Sequence, residues 1–268
     1  MARILLPTDF SANADHAAGY AIHLFGMGGN TFTLLHAHSN VGYGDPLAGS
    51  FMVDMVGAAR EDLHEAADRF RKHHPGVALQ EHLVIGPLAT ALHTYAENNG
   101  ADVIVMGMSG KGGARLFGSN TAAVLRGSPT PVIAVPAFRG MHPLRRILLA
   151  DDHQVVAEAD LAFVRDLALH HGAEVLVAHV VPQEEAGGGH WSKSIYELGL
   201  RGVTTRFIEV PGTDVATALE QAAEHHGVGL VAVLHRHAAF VDRLFHSSVA
   251  KAMAKLTTYP LLVLQQKG

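Results

Sequence analysis

Cysteine is absent from all 268 residues, which excludes disulfides, thiolate nucleophiles and cysteine-type zinc sites. Charge is also scarce, with 17% charged residues and a formal net charge of -5. Without a basic field a polyphosphate backbone has little to hold it, so nucleic acid is not the expected partner. No apolar run approaches the roughly 20 residues that a membrane helix needs. The first residues run straight into Ile4-Leu5-Leu6 without an apolar signal core, so the expected location is the cytoplasm, with no membrane partner.

Hydrophobic residues, at 48%, are plentiful enough for two cores of ordinary domain size. The chain is in fact written twice. Arg3-Ile4-Leu5-Leu6-Pro7-Thr8-Asp9 answers Arg146-Ile147-Leu148-Leu149-Ala150-Asp151-Asp152, and Val103-Ile104-Val105-Met106 answers Val231-Ala232-Val233-Leu234. Arg115-Leu116-Phe117 matches Arg243-Leu244-Phe245, and Pro131-Val132-Ile133 matches Pro260-Leu261-Leu262. A repeat this long is a whole domain, since solenoid periods lie at roughly 20–50 residues. Domains are expected at 1–138 and 144–268, joined by a few residues around Gly140 and packed as a pseudo-dimer.

Within each copy, short runs of Val, Ile and Leu alternate with longer amphipathic stretches, the pattern of βαβ units around a parallel sheet covered on both faces. The expected fold is α/β: two tandem Rossmann-like domains, each an open parallel five-stranded sheet. First-copy strands are expected near 3–8, 31–37, 77–85, 102–107 and 131–136. Helices should fill roughly 12–26 after the N-cap Ser11, 50–74, 87–98 with Pro87 in its first turn, and 119–126. The second copy should place strands near 146–151, 173–180, 203–210, 228–234 and 260–265, with helices near 155–171, 214–226 and 246–257. Its second crossover is trimmed: Gly187-Gly188-Gly189 points to a loop and a short helix.

In an open parallel sheet, ligands sit beyond the carboxyl ends of the strands, where strand order reverses. The first strand ends in Pro7-Thr8-Asp9 and the fourth in Met106-Gly107. A loop with glycines at 107, 110, 112, 113 and 118 follows, and Gly118-Ser119-Asn120-Thr121 opens a helix whose amides and hydroxyls suit a phosphate. Asp9 is placed to accept a hydrogen bond from a ribose hydroxyl. The loop is not a P-loop, because Gly110-Lys111-Gly112 is not followed by the required hydroxyl. The bland alternative for such a glycine cluster is a surface loop without a ligand.

These segments, with Leu34-Leu35-His36-Ala37 and Asp102–Gly107, resemble the universal stress proteins in their tandem two-domain form. The resemblance implies a Rossmann-like (HUP) fold and an adenine-nucleotide pocket. It would be lined by Pro7, Thr8, Asp9, Ala37, Met106, Gly107, Gly110, Gly118, Ser119, Asn120 and Thr121. The implied ligand is ATP or another adenine nucleotide, with or without Mg2+, in a stress-response or regulatory protein with slow ATP hydrolysis at most. An unidentified protein partner and a homodimer are further implications, through the edge strands that begin at Pro131 and Pro260. Seven residues separate Gly110 from Gly118, where the family's ATP-binding loop has nine. In the second copy His235, Ala238 and His246 replace the glycines aligned with 107, 110 and 118, so that copy reads as degenerate. A nucleotide-independent adaptor module is the alternative function.

Twenty histidines invite a metal hypothesis, centred on His36-Ala37-His38 and on His235-Arg236-His237 with His246. The plainer reading is structural, and no metal ligand set is assigned. His73-His74, His170-His171 and His225-His226 each close a helix, where a partly positive side chain complements the dipole. Of Asp151-Asp152, one is expected to cap a helix and the other to face solvent. Trp191 and Tyr196 are expected to cover the seam between the domains. No Ser/His/Asp order or paired-carboxylate motif identifies a catalytic residue.

Overall fold

A computed structural model describes residues 1–38, 48–108, 119–137, 140–152, 154–182, 193–235 and 258–266, with backbone alone at 48–53 and 235. The chain divides into two compact units, whose described residues run from Met1 to Ala137 and from Gly140 to Gln266.

The first unit runs β1 (Arg3–Pro7), α1 (Ala12–Phe25), β2 (Thr31–His38), α2 (Ala48–His73), β3 (Leu79–Ile85), α3 (Leu88–Asn99), β4 (Val103–Gly107), α4 (Ser119–Gly127) and β5 (Val132–Val135). All its pairings are parallel, in the order β3-β2-β1-β4-β5. The apolar runs form strands because both sheet faces are covered: Ile4, Leu5, Leu6, Val103 and Ile104 are at most 1% exposed. Each such side chain contributes about 1.5–3 kcal/mol by leaving water. Helix α1 starts where Ser11 Oγ accepts the Ala14 N–H at 3.2 Å, as a capping serine should. Pro87 stands one residue earlier than expected, in the N-cap position of α3, where its φ of -65° and ψ of 138° keep it extended.

The second unit runs β6 (Arg146–Asp151), α5 (Glu158–His171), β7 (Glu174–Val181), α6 (Lys193–Gly199), β8 (Thr205–Pro211), α7 (Val215–His225), β9 (Leu230–His235) and β10 (Leu261–Gln265). It repeats the parallel order as β10-β9-β6-β7-β8. The trimmed crossover ends in the short helix α6, packed so closely on α5 that a Cβ on Gly199 would stand 2.6 Å from Leu161 Cδ1. The helix expected at 246–257 lies outside the described residues. Among the described residues, no helix is long and apolar enough to cross a membrane.

Two of the paired histidines depart from the expected role at helix ends. His73 Nδ1 does donate to Arg69 O at 2.7 Å. His74, however, packs on Phe70 at 4.6 Å between ring centroids, and burial, followed by neighbouring His73, lowers its pKa. His226 is lowered first by burial and then by His225, Arg206 and Arg146. Both therefore favour the neutral form, while the basic side chains within the last turns are Arg71, Lys72 and His73 in α2 and His225 in α7.

Candidate functional site

Strand order reverses between β1 and β4, which lie side by side with Ile4 opposite Val103 and Leu5 opposite Ile104. Their carboxyl ends border one crevice, the arrangement that places a ligand in open α/β sheets. At its edge the β1–α1 turn is held by its own side chains. Thr8 Oγ1 accepts the Phe10 N–H at 3.0 Å, Asp9 Oδ1 accepts the Ser11 N–H at 3.1 Å, and Phe10 adopts a φ of 63°. Left-handed backbone is rare for an aromatic residue and needs support from its surroundings.

On the β4 side, α4 is fastened to the strand end. Thr121, 3% exposed, donates its hydroxyl to Gly107 O at 3.1 Å, so the first turn of α4 lies at the β4 terminus. Ser119 and Asn120 are exposed at the start of that turn. A Cβ at Gly107 would come within 3.0 Å of the Asn13 carbonyl oxygen, so glycine is needed there for the approach of α1 to the sheet.

The register separates the expected site residues by face. Leu5 pairs with both Thr33 and Ile104, and the Thr33 hydroxyl meets the Tyr95 hydroxyl of α3 at 3.0 Å. Because side chains alternate along strands, Pro7, Ala37 and Met106 share this α3-facing side, while Gly107 faces α1. Met106 is 4% exposed and Thr8 7%; Ala37 and Asp9 are half-buried. Thus nine of the eleven expected residues gather around the carboxyl ends of β1, β2 and β4. The other two, Gly110 and Gly118, lie outside the described residues with the rest of the glycine-rich loop.

Two cavities of about 290 and 390 Å³ in the first unit lie elsewhere, beside α3. They share Tyr95 and Asn99 but contain none of the expected site residues.

A histidine contact was missed in the sequence. His36 Nδ1 donates to Thr8 O at 2.8 Å, and its ring lies 4.4 Å from that of Phe10. The second unit repeats the contact: His179 Nδ1 donates to Asp151 O at 2.9 Å, and Asp152 Oδ1 accepts the Gln154 N–H at 3.2 Å, as Asp9 does two residues ahead. The signal available was a histidine at the same place in both copies.

Where the first unit has Thr8, the second has Asp151, buried to 8% exposure and accepting the Tyr196 hydroxyl at 2.6 Å. Asp151 therefore neither caps a helix nor faces solvent. Tyr196, 3% exposed, stacks edge-on to Phe207 at 5.9 Å, so it packs on Asp151 and Phe207 of its own unit. Trp191, His237, Ala238 and His246 lie outside the described residues, as does the His235 side chain. No group of three or more histidines and carboxylates among the described residues is arranged for a metal.

A family model described as the universal stress protein family matches residues 1–136. No curated protein matches. Among solved structures, a universal stress protein from Archaeoglobus fulgidus DSM 4304 is 21% identical, covering 98% of this chain and 96% of its own, with a TM-score of 0.74. Universal stress protein UspA from Lactobacillus plantarum is 24% identical over 50% of this chain and 96% of its own, with a TM-score of 0.43. A universal stress protein in complex with cAMP is 25% identical over 51% and 98%, with a TM-score of 0.40. The sequence match extends over half the chain and coincides with the unit that carries the β1–β4 reversal, the Thr8–Ser11 turn and α4: this chain belongs to the universal stress protein family.

Proposed function

We propose that the first unit binds ATP or another adenine nucleotide, with or without Mg2+, and that nucleotide occupancy serves as a regulatory signal. The observation that carries this reading is the placement of the Thr8–Ser11 turn after β1 and of the first turn of α4 at the end of the neighbouring strand β4, on the two sides of the strand-order reversal. Such a site offers a carboxylate to a ribose hydroxyl and helix N-terminal amides to a phosphate. Pro7, Ala37 and Met106 would supply apolar walls, while Gly107, Gly110, Gly118, Ser119, Asn120 and Thr121 would shape the phosphate end. Family membership supports the choice of ligand class. Function in this reading is binding, with slow ATP hydrolysis at most; a protein partner in the cytoplasm, or a second copy, would read the bound state.

The second reading is a nucleotide-independent adaptor, favoured by the internal engagement of Asp9 Oδ1 and Thr121 Oγ1 and by the short Gly110–Gly118 spacing. Calorimetric titration of nucleotide-stripped protein with ATP and Mg2+ separates the two. About one site per chain is expected; about two would make the second unit a working site, and no heat of binding would favour the adaptor.

A further inference from the structure

We propose that His36 is the positioning residue of the ligand-site turn: it latches the end of β1 from the α1 side so that Asp9 meets the ligand from the opposite side. This rests on the nucleotide reading above. A carbonyl oxygen has no proton to give, so the 2.8 Å contact between His36 Nδ1 and Thr8 O assigns the proton to Nδ1. The neutral Nδ1–H tautomer and the imidazolium both carry that proton.

The latch secures three consecutive groups. Thr8 donates its N–H to Leu35 O at 2.8 Å and accepts from His36 through its own carbonyl, so the peptide groups before and after it are both held to β2. From this anchored residue Thr8 Oγ1 takes the Phe10 N–H, and Asp9 Oδ1 takes the Ser11 N–H. The Phe10 ring then lies against the imidazole at an interplanar angle of 33°, which supports the left-handed conformation of Phe10. His36 follows Leu35, the partner of Pro7 in the β1–β2 register, so it faces away from the side shared by Pro7 and Ala37. It thus orients the turn without occupying the ligand's side.

The second unit provides an internal control. His179 makes the same bond to Asp151 O, but Tyr196 engages the adjacent carboxylate. The bond by itself therefore belongs to the fold, and the link to the ligand belongs to the first unit.

The test uses the full chain and three variants, His36→Leu, His36→Asn and His179→Leu. Asparagine retains an N–H donor close to the Nδ1 position, whereas leucine retains bulk without a donor. Long-range proton–nitrogen spectra of the wild type should report the Nδ1–H tautomer for His36. In His36→Leu, amide exchange at Phe10 and Ser11 should accelerate about tenfold or more relative to the β4 amides. ATP affinity should fall about tenfold or more in His36→Leu, recover in His36→Asn and stay within about twofold in His179→Leu. An Nε2–H tautomer, unchanged exchange at Phe10 and Ser11, or faster exchange with unchanged ATP affinity would each overturn the assignment. If the wild type binds no ATP, the nucleotide reading falls, while the tautomer and exchange still decide whether the latch exists. If His36→Leu does not fold, the tautomer and the His36→Asn affinity decide the matter.

Discussion

The side chains at the two strand ends show how one turn accommodates different chemistry. Thr8 and Asp9 spend hydrogen-bonding capacity on their own backbone, yet remain at the crevice edge. Replacing Asp9 by Ala should weaken ATP binding by about 1–3 kcal/mol if the carboxylate receives a buried ligand hydrogen bond; calorimetry checks it, and unaltered affinity would remove Asp9 from the site. In the second unit the corresponding threonine has become Asp151, and its buried carboxylate depends on Tyr196. Tyr196→Phe should cost about 1–3 kcal/mol by leaving that carboxylate under-bonded, measurable as a lower urea midpoint. Titration adds a separate effect. His74 and His226 have pKa values below the ordinary 6.5, so between the folded value and 6.5 the unfolded chain binds more protons. Their contribution is present above pH 6.5 and is lost as the pH falls through that window. Urea midpoints should therefore drop on acidification below about 6.5, with a shallower fall in His74→Gln.

Whole elements were largely legible because their sequence signals are local. Ser11 announces α1, alternating apolar runs announce strands, and the shortened stretch after β7 announces a reduced crossover. The short helix that replaces the long α2 was legible, but its packing was not. In the first unit Glu81 of β3 pairs with Arg71 of α2 at 2.8 Å, a polar contact between helix and edge strand. The corresponding place in β8 is Phe207, packed by Tyr196 of α6, so the shorter element compensates with aromatic burial. Close approach of α6 to α5 depends on Gly199. Gly199→Leu should push α6 away and cost about 1–3 kcal/mol, an overpacking penalty that thermal unfolding would reveal; unchanged stability would show that the helix shifts freely.

At the scale of the molecule, two units with the same strand order carry different groups at the same topological switch point. One nucleotide per chain is the outcome expected from that asymmetry, and titration stoichiometry reads it directly. The sequence by itself determined the duplication, the parallel α/β class and the placement of Pro7, Thr8, Asp9, Met106 and Gly107 at the ends of the first and fourth strands, because short continuous apolar runs and aligned motifs are properties of neighbouring residues. Only the tertiary structure decided that Thr121 ties α4 to Gly107 O, that Gly107 makes room for α1, that Asp151 lies beneath Tyr196, and that His36 holds the Thr8 carbonyl. All four pairs are 14 or more residues apart and cross between elements, so their contacts follow from sheet register and helix docking, which no local pattern encodes.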